Sequence, residues 1–165
     1  MSKKETVQRL KSSLLAGAGA ASAIMVLALL QEFYSYQDSH ALWLMAPFGA
    51  TTVLVFGLPN SPLAQPKNVI LGHVVTSLIG LVFVSFISVD FWALAVATGL
   101  GVTAMLATNT THPPAGANPM LIMMLQPTWS FLVNPVLIGA VLIVLVGWLY
   151  AQLIKRLTYA SQRLR

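Results

Sequence analysis

The sequence predicts an all-α integral membrane protein built from two three-segment repeats of inverted topology. Three observations carry that prediction. The chain is overwhelmingly apolar, its basic residues crowd the two ends, and two short segments broken by proline and glycine stand at matching places in the two halves. Of 165 residues, 57% are hydrophobic and 8% are charged, with a mean hydropathy of +0.79. A soluble domain carries about 25% charged residues. Eight per cent cannot cover a water-facing surface, so the partner for most of this chain is the lipid bilayer.

The charge pattern excludes a nucleic-acid groove despite a net charge of +5. Lys3, Lys4, Arg9 and Lys11 lie at one end, and Lys155, Arg156, Arg163 and Arg165 at the other. Between them Lys67 is the sole lysine or arginine. That is the distribution of cytoplasmic flanks. The chain has no cysteine, which excludes a disulfide or a thiolate metal site and leaves the compartment unread by redox chemistry. The whole of 1–165 reads as one transmembrane domain, with basic cytoplasmic termini at 1–12 and 155–165.

Residues 2–12 are polar and basic. Ser2 and Glu5 have capping-box spacing, so a short interfacial helix is expected. Residues 13–31 are uncharged and reach about 28 Å as a helix, enough to cross. The apolar run continues past Ala21-Ser22-Ala23 to Leu30, which favours an uncleaved first span over a signal peptide. Small residues at 16–21 and at Gly99–Gly101 predict close helix packing, within one chain or in a homo-oligomer. Residues 32–40 read as a polar loop. Residues 41–58 are apolar but interrupted at Pro47 and Gly49. Residues 59–67 are loop, 68–89 a clean span, and Asp90 a cap for 91–108. A stiff polar stretch, 109–114, precedes a short apolar run, 115–125. Residues 126–134 are loop, 135–154 the last span, and the tail is basic and amphipathic.

A shift of 67 residues superimposes Pro47 on Pro114, Gly49 on Gly116, Ala50 on Ala117, Leu54 on Leu121 and Leu58 on Leu125. The chain thus divides into a first repeat, about 13–89, and a second, about 90–154. Each reads as span, broken segment, span. If the short segments cross, there are six membrane segments. Both termini and Lys67 are then inside, Glu32, Asp38 and Asp90 are outside, and Trp43, Trp92 and Trp129 sit near one interface. If they dip in and return, there are four full spans and two re-entrant segments, and Lys67 and Asp90 exchange sides.

Helices over 48–58 and 115–125 reach only about 16 Å, half the hydrocarbon core. Such ends expose unpaired N–H groups and a partial positive charge, and paired broken segments point to a transporter's binding site. With inverted halves the two N-termini face one cavity and favour an anion. The membrane interior has no arginine or lysine to help, so the anion must be small. The candidate lining is Gly49, Ala50, Thr51, Thr52, Thr111, His112, Pro113, Pro114, Gly116, Ala117 and Asn118. The glycines and alanines would offer backbone N–H groups, Thr51, Thr52, Thr110, Thr111 and Asn118 side-chain donors, and His112 would modulate charge. The alternative role for His112 is a local backbone hydrogen bond. His73, near the start of a span, is less telling, and His40 reads as a solvated loop residue. Three scattered histidines without paired carboxylates make no metal site, and no cofactor motif is present. An enzyme is not expected, because His112 has no visible acid–base partner.

The stretch Thr111-His112-Pro113-Pro114-Ala115-Gly116-Ala117 resembles the HPP family of integral membrane proteins. Pro47-Phe48-Gly49-Ala50-Thr51, Ser61-Pro62-Leu63-Ala64-Gln65-Pro66-Lys67-Asn68 and Gly72-His73 resemble it too, in the same order, so the resemblance covers nearly the whole chain. It implies a membrane-spanning transporter. Members in cyanobacteria and chloroplasts are implicated in nitrite transport, which would place this chain in a bacterial plasma or inner membrane of cyanobacterial type. Other bacterial members carry a CBS pair after the membrane part. The sequence ends at residue 165, and regulation through such a pair is not expected. The residues and the resemblance together lead to a transporter for a small inorganic anion, nitrite first. A passive channel for water or small solutes, and a non-transporting subunit or sensor, remain as rivals.

Overall fold

The computed structural model describes residues 2–35 and 42–163, and Asp38, His40 and Arg165 lie outside them. Among the described residues the architecture is helical, without strands. Helix α1 spans Lys3–Ser35, α2 Ala46–Thr52, α3 Pro66–Phe86, α4 Phe91–Ala107, α5 Asn118–Leu125 and α6 Ile138–Arg163. Three helical stretches are long and apolar enough to cross a membrane: Lys3–Tyr34, Pro66–Phe86 and Trp129–Leu157. Ala46–Gly57 and Phe91–Ala107 are shorter apolar helices.

The capping box at the start of α1 forms. The Ser2 amide donates to Glu5 Oε2 at 2.8 Å, and the Glu5 amide donates to Ser2 Oγ at 3.3 Å. The expected separate interfacial helix does not. Its residues are good helix formers, so the basic end and the apolar run make one helix of 33 residues. For the same reason α1 runs on through Glu32 to Ser35, into the expected loop. Asp90 holds the N-cap position of α4, but its side chain makes no capping bond.

The two broken segments differ from simple half-helices. Pro47 sits in the first turn of α2, where its missing N–H costs nothing, so the helix starts at Ala46 and not near Gly49. After Thr52 it loosens into a π turn, Val53–Gly57. In the second segment Pro113 and Pro114 open a 3-10 turn, Pro113–Ala117, and α5 follows with 8 residues. It ends at Gln126, whose φ of 48° is left-handed. The last span, Trp129–Leu157, includes the expected 135–154, but its regular helix begins later than Pro135. Trp129–Leu137 is an irregular lead-in with a non-helical backbone at Asn134, and regular helix starts at Ile138.

Helix α6 runs antiparallel to α1. The Tyr150 hydroxyl donates to Leu15 O at 2.8 Å, while Val26, Leu30 and Tyr34 share a groove with Ile138 and Leu142. Lys3, Lys4, Arg9 and Lys11 therefore lie at the same end of the molecule as Lys155 and Arg156. The segment 43–57 follows the C-terminal half of α1 and the N-terminal half of α6. Trp43 stacks near Tyr34 at 5.4 Å, and Phe56 meets Tyr150 at 5.8 Å. Glycines make its track: Gly139 lies against Phe48, Gly147 against Val55 and Gly19 against Phe56. The segment 110–125 likewise follows α3, from Gly72, beside His112, to Phe83, which clusters with Met123. In packing, α1 lies on α6, α3 on α4, α2 between α1 and α6, α5 between α4 and α3, and α3 touches α6.

Outward faces are apolar, with Leu14, Met25, Leu29, Val96, Leu100, Leu145 and Leu149 exposed. The buried set includes Thr51, His73, Thr76, Ser77, Thr110, His112 and Asn118. This inside-out pattern suits lipid as the outer medium. Trp92 and Trp129 are partly exposed, as interface anchors would be. Trp43 is not: it is buried, and its backbone N–H donates to Gln31 Oε1 at 2.6 Å.

Candidate functional site

Two histidines of the interior meet on one side chain, Thr51. Thr51, in the last turn of α2, bonds back to Pro47 O at 2.9 Å, the usual habit of a helical threonine. The same Oγ1 lies 2.8 Å from His73 Nε2 on α3 and 2.9 Å from His112 Nε2 ahead of the 3-10 turn. The two imidazole centroids are 5.2 Å apart. His112 Nδ1 lies 2.8 Å from Leu63 O, in the short turn that precedes α3. Asn118, at the start of α5, sits against α3. Its Nδ2 is 3.0 Å from His73 Nδ1, 3.2 Å from His73 O, 3.1 Å from Thr76 Oγ1 and 3.0 Å from Ser77 Oγ. Its Oδ1 is buried without a partner.

Helix α3 supplies one wall by periodicity. Val69, Gly72, His73, Thr76, Ser77 and Gly80 recur at helical spacing and are all buried. The glycines admit the broken segment. A Cβ on Gly72 would stand 2.9 Å from His112 Cβ and 3.0 Å from Thr110 O, and one on Gly80 would stand 3.1 Å from Pro119 Cα. Asn68, one turn earlier, donates to Thr111 O at 2.9 Å and pins the start of the segment. Thr51, His73, His112 and Asn118 each have 0% exposure, so the centre is closed to both sides in this conformation.

Three of the candidates read from the sequence therefore meet: Thr51, His112 and Asn118. Thr111 contributes its carbonyl, and Pro113 and Pro114 shape the turn. Thr52 is buried but bonds only to its own helix, at Gly49 O. Gly49 and Ala50 are exposed, and because α2 begins at Ala46 the Ala50 and Thr51 amides belong to the helix interior. They do not present the free N–H groups expected of a helix start. Gly116 and Ala117 are half-buried in the 3-10 turn, and open space adjoins both Gly49 and Gly116. His73 is a full member, as are Thr76 and Ser77. Their signal in the sequence is the stripe of small and polar residues every three or four positions through an otherwise apolar span.

Chemically the centre offers two imidazoles, hydroxyls and one carboxamide. Among the described residues no cluster of three histidine, cysteine, aspartate or glutamate side chains could hold a metal, so no carboxylate joins the histidine pair.

Comparison with known proteins gives the family. A transmembrane protein of Dictyostelium discoideum is 32% identical over 146 residues, covering 84% of this chain and 51% of its own length. A second transmembrane protein of that organism is 37% identical over 105 residues, covering 61% of this chain and 33% of its own. The chain thus spans about half the length of the first relative and a third of the second. No solved structure matches it. The transmembrane region of the HPP family matches residues 5–160, nearly the entire sequence, and the chain belongs to that family of membrane proteins.

Proposed function

We propose that the chain is a membrane transporter for a small inorganic anion, nitrite first, handled at the centre formed by Thr51, His73, His112 and Asn118. The observation that carries the reading is that centre itself. Buried polar and ionisable side chains are costly inside a membrane protein, and they mark substrate or ion paths. These four come from both broken segments and from the span beside them, the arrangement in which transporter sites are built. The supply of N–H and O–H donors, with no carboxylate among the described residues clustering with the histidine pair, favours an anion over a cation.

The packing supports an inverted repeat. Exchanging α1 with α4, α2 with α5 and α3 with α6 carries the set of packed pairs onto itself. The second short segment follows α4 from Met105, at its end, to Ala93, near its start, which favours a crossing over a re-entrant dip. With the basic ends together, the positive-inside rule favours a cytoplasmic side for both termini. A passive channel has one observation in its favour: the unpartnered Asn118 Oδ1 would accept from water or a neutral solute.

The test is nitrite uptake into liposomes containing the purified chain, with nitrate and formate as competitors. Saturable uptake that falls in His112→Ala and Gly116→Leu supports the reading. Unchanged kinetics in both variants would sink it, and osmotic swelling without saturation would select the channel.

A further inference from the structure

The basic end of α6 carries a side-chain stripe that plays no part in the polar centre. Trp148, Gln152 and Arg156 follow one another at four-residue spacing, and with Leu149 and Leu153 they line one crevice. Four-residue spacing keeps side chains on one face of a helix. The contacts that hold this stretch of α6 in the fold leave by other faces. Tyr150, about 200° round the helix from Trp148, reaches α1 through its bond to Leu15 O. Gly147 lies against Val55. Trp148, Leu149 and Leu153 are each more than half exposed, and Gln152 and Arg156 are exposed with them.

The chemistry changes along the stripe in a definite order. Each step of four residues advances about 6 Å toward the basic end. Trp148 comes first, then a neutral carboxamide, then a guanidinium. A phospholipid presents the matching order from the bilayer core outward: methylenes, ester carbonyls, phosphate. An indole has an apolar body and one N–H donor, which suits the boundary between chains and esters. A carboxamide donates to an ester carbonyl. A guanidinium meets two phosphate oxygens with two parallel N–H groups.

Charge selects the kind of headgroup. Lys155 is exposed beside Arg156, and Lys3, Lys4, Arg9 and Lys11 lie at the same end. Helix α6 contains no acidic residue. Among the described residues Glu5 is the one acid at this end, and its carboxylate accepts from the Ser2 amide. A zwitterionic headgroup would bring a further cation into this positive field, whereas an anionic one brings only its negative charge.

We propose that this face of α6 docks one anionic phospholipid, with its phosphate on Arg156, its esters beside Gln152 and the start of an acyl chain against Trp148 and Leu149. The docking is independent of the transport reading above.

The test uses the full chain in phosphatidylcholine nanodiscs that contain a fixed minor fraction of chain-brominated lipid, either phosphatidylglycerol or phosphatidylcholine. Bromine quenches tryptophan fluorescence on contact, and the share of Trp148 is the difference between wild type and Trp148→Phe. Brominated phosphatidylglycerol is expected to occupy the site with a roughly fivefold preference, the equivalent of about 1 kcal/mol for a basic residue at a membrane surface. Arg156→Gln is expected to abolish the preference and Gln152→Leu to weaken it. Lys155→Gln removes the same charge one position off the stripe and is expected to keep most of it. Equal quenching of Trp148 by the two lipids in the wild type overturns the proposal, and that comparison needs neither charge variant to fold. Equal loss in Lys155→Gln and Arg156→Gln overturns it too, because the preference would then belong to a diffuse layer of charge and not to a docked lipid.

Discussion

Gly72 lies directly beneath His112: a methyl group on its Cα would stand 2.9 Å from His112 Cβ and 3.0 Å from the Thr110 carbonyl. The second neighbour is backbone, and Asn68 pins the adjoining Thr111. Neither can retreat without moving the start of the broken segment. Gly72→Ala should therefore destabilise the detergent-solubilised protein by about 1–3 kcal/mol, the usual cost of overpacking. It should also depress nitrite uptake by displacing His112 from Thr51. A thermal melt and the liposome assay read the two effects, and a melt unchanged from wild type would refute the tight seat.

Gly49 is the opposite case. It resembles Gly116 in the sequence and sits in the middle of α2, yet a Cβ there meets nothing within 4 Å. Glycine inside a helix is worse than alanine by roughly 0.5–1 kcal/mol. Gly49→Ala should leave the melting temperature equal or slightly higher. A clear drop would mean that the glycine is needed against something beyond this chain.

Asn118 supplies two N–H groups to a neighbourhood of four acceptors on α3. Asn118→Leu, similar in size, strands His73 Nδ1 without a donor. Leaving a buried polar group unsatisfied costs about 1–3 kcal/mol. The variant should melt lower than Asn118→Gln or wild type in a side-by-side scan. Equal stability of the leucine variant would show that the amide is not holding α5 to α3.

Orientation can be read chemically, because the native chain has no cysteine to interfere. Ser2, Lys67 and Asp90 are exposed. Single cysteines at these positions should label with a membrane-impermeant maleimide on two sides: Ser2→Cys and Lys67→Cys together, Asp90→Cys opposite. Asp90→Cys on the side of Ser2→Cys would favour re-entrant segments.

The sequence made the breaks legible because proline and glycine act locally. Pro47, Pro113 and Pro114 determine where helices can begin, and Ser2 with Glu5 forms its cap within one turn. His112, Thr51 and Asn118 stood out as polar residues beside those breaks. What could not be read was their meeting point. Thr51 reaches His73 across 22 positions and His112 across 61, and no local rule supplies such pairs. A lone His73 near the start of a span carries little signal, and its significance lies in the buried stripe from Val69 to Gly80. The expected N–H groups at Gly49 and Ala50 failed for a different reason: a proline tolerated in the first turn let α2 start earlier. Trp43 carries the composition of an interface anchor, but the ring of Tyr34 and the amide of Gln31 draw it inward.

The oversubscribed amide of Asn118 makes the joint between α5 and α3 a bearing rather than a latch. With two hydrogens spread over four acceptors along one helical face, a small slide or roll of α5 exchanges one acceptor for its neighbour and never passes through a fully broken state. The bonds from Asn68 to Thr111 O and from His112 to Leu63 O allow no such exchange, since each has a single counterpart. The front of the second broken segment is thus held by bonds with one counterpart each, and its continuation in α5 by an amide that has alternatives.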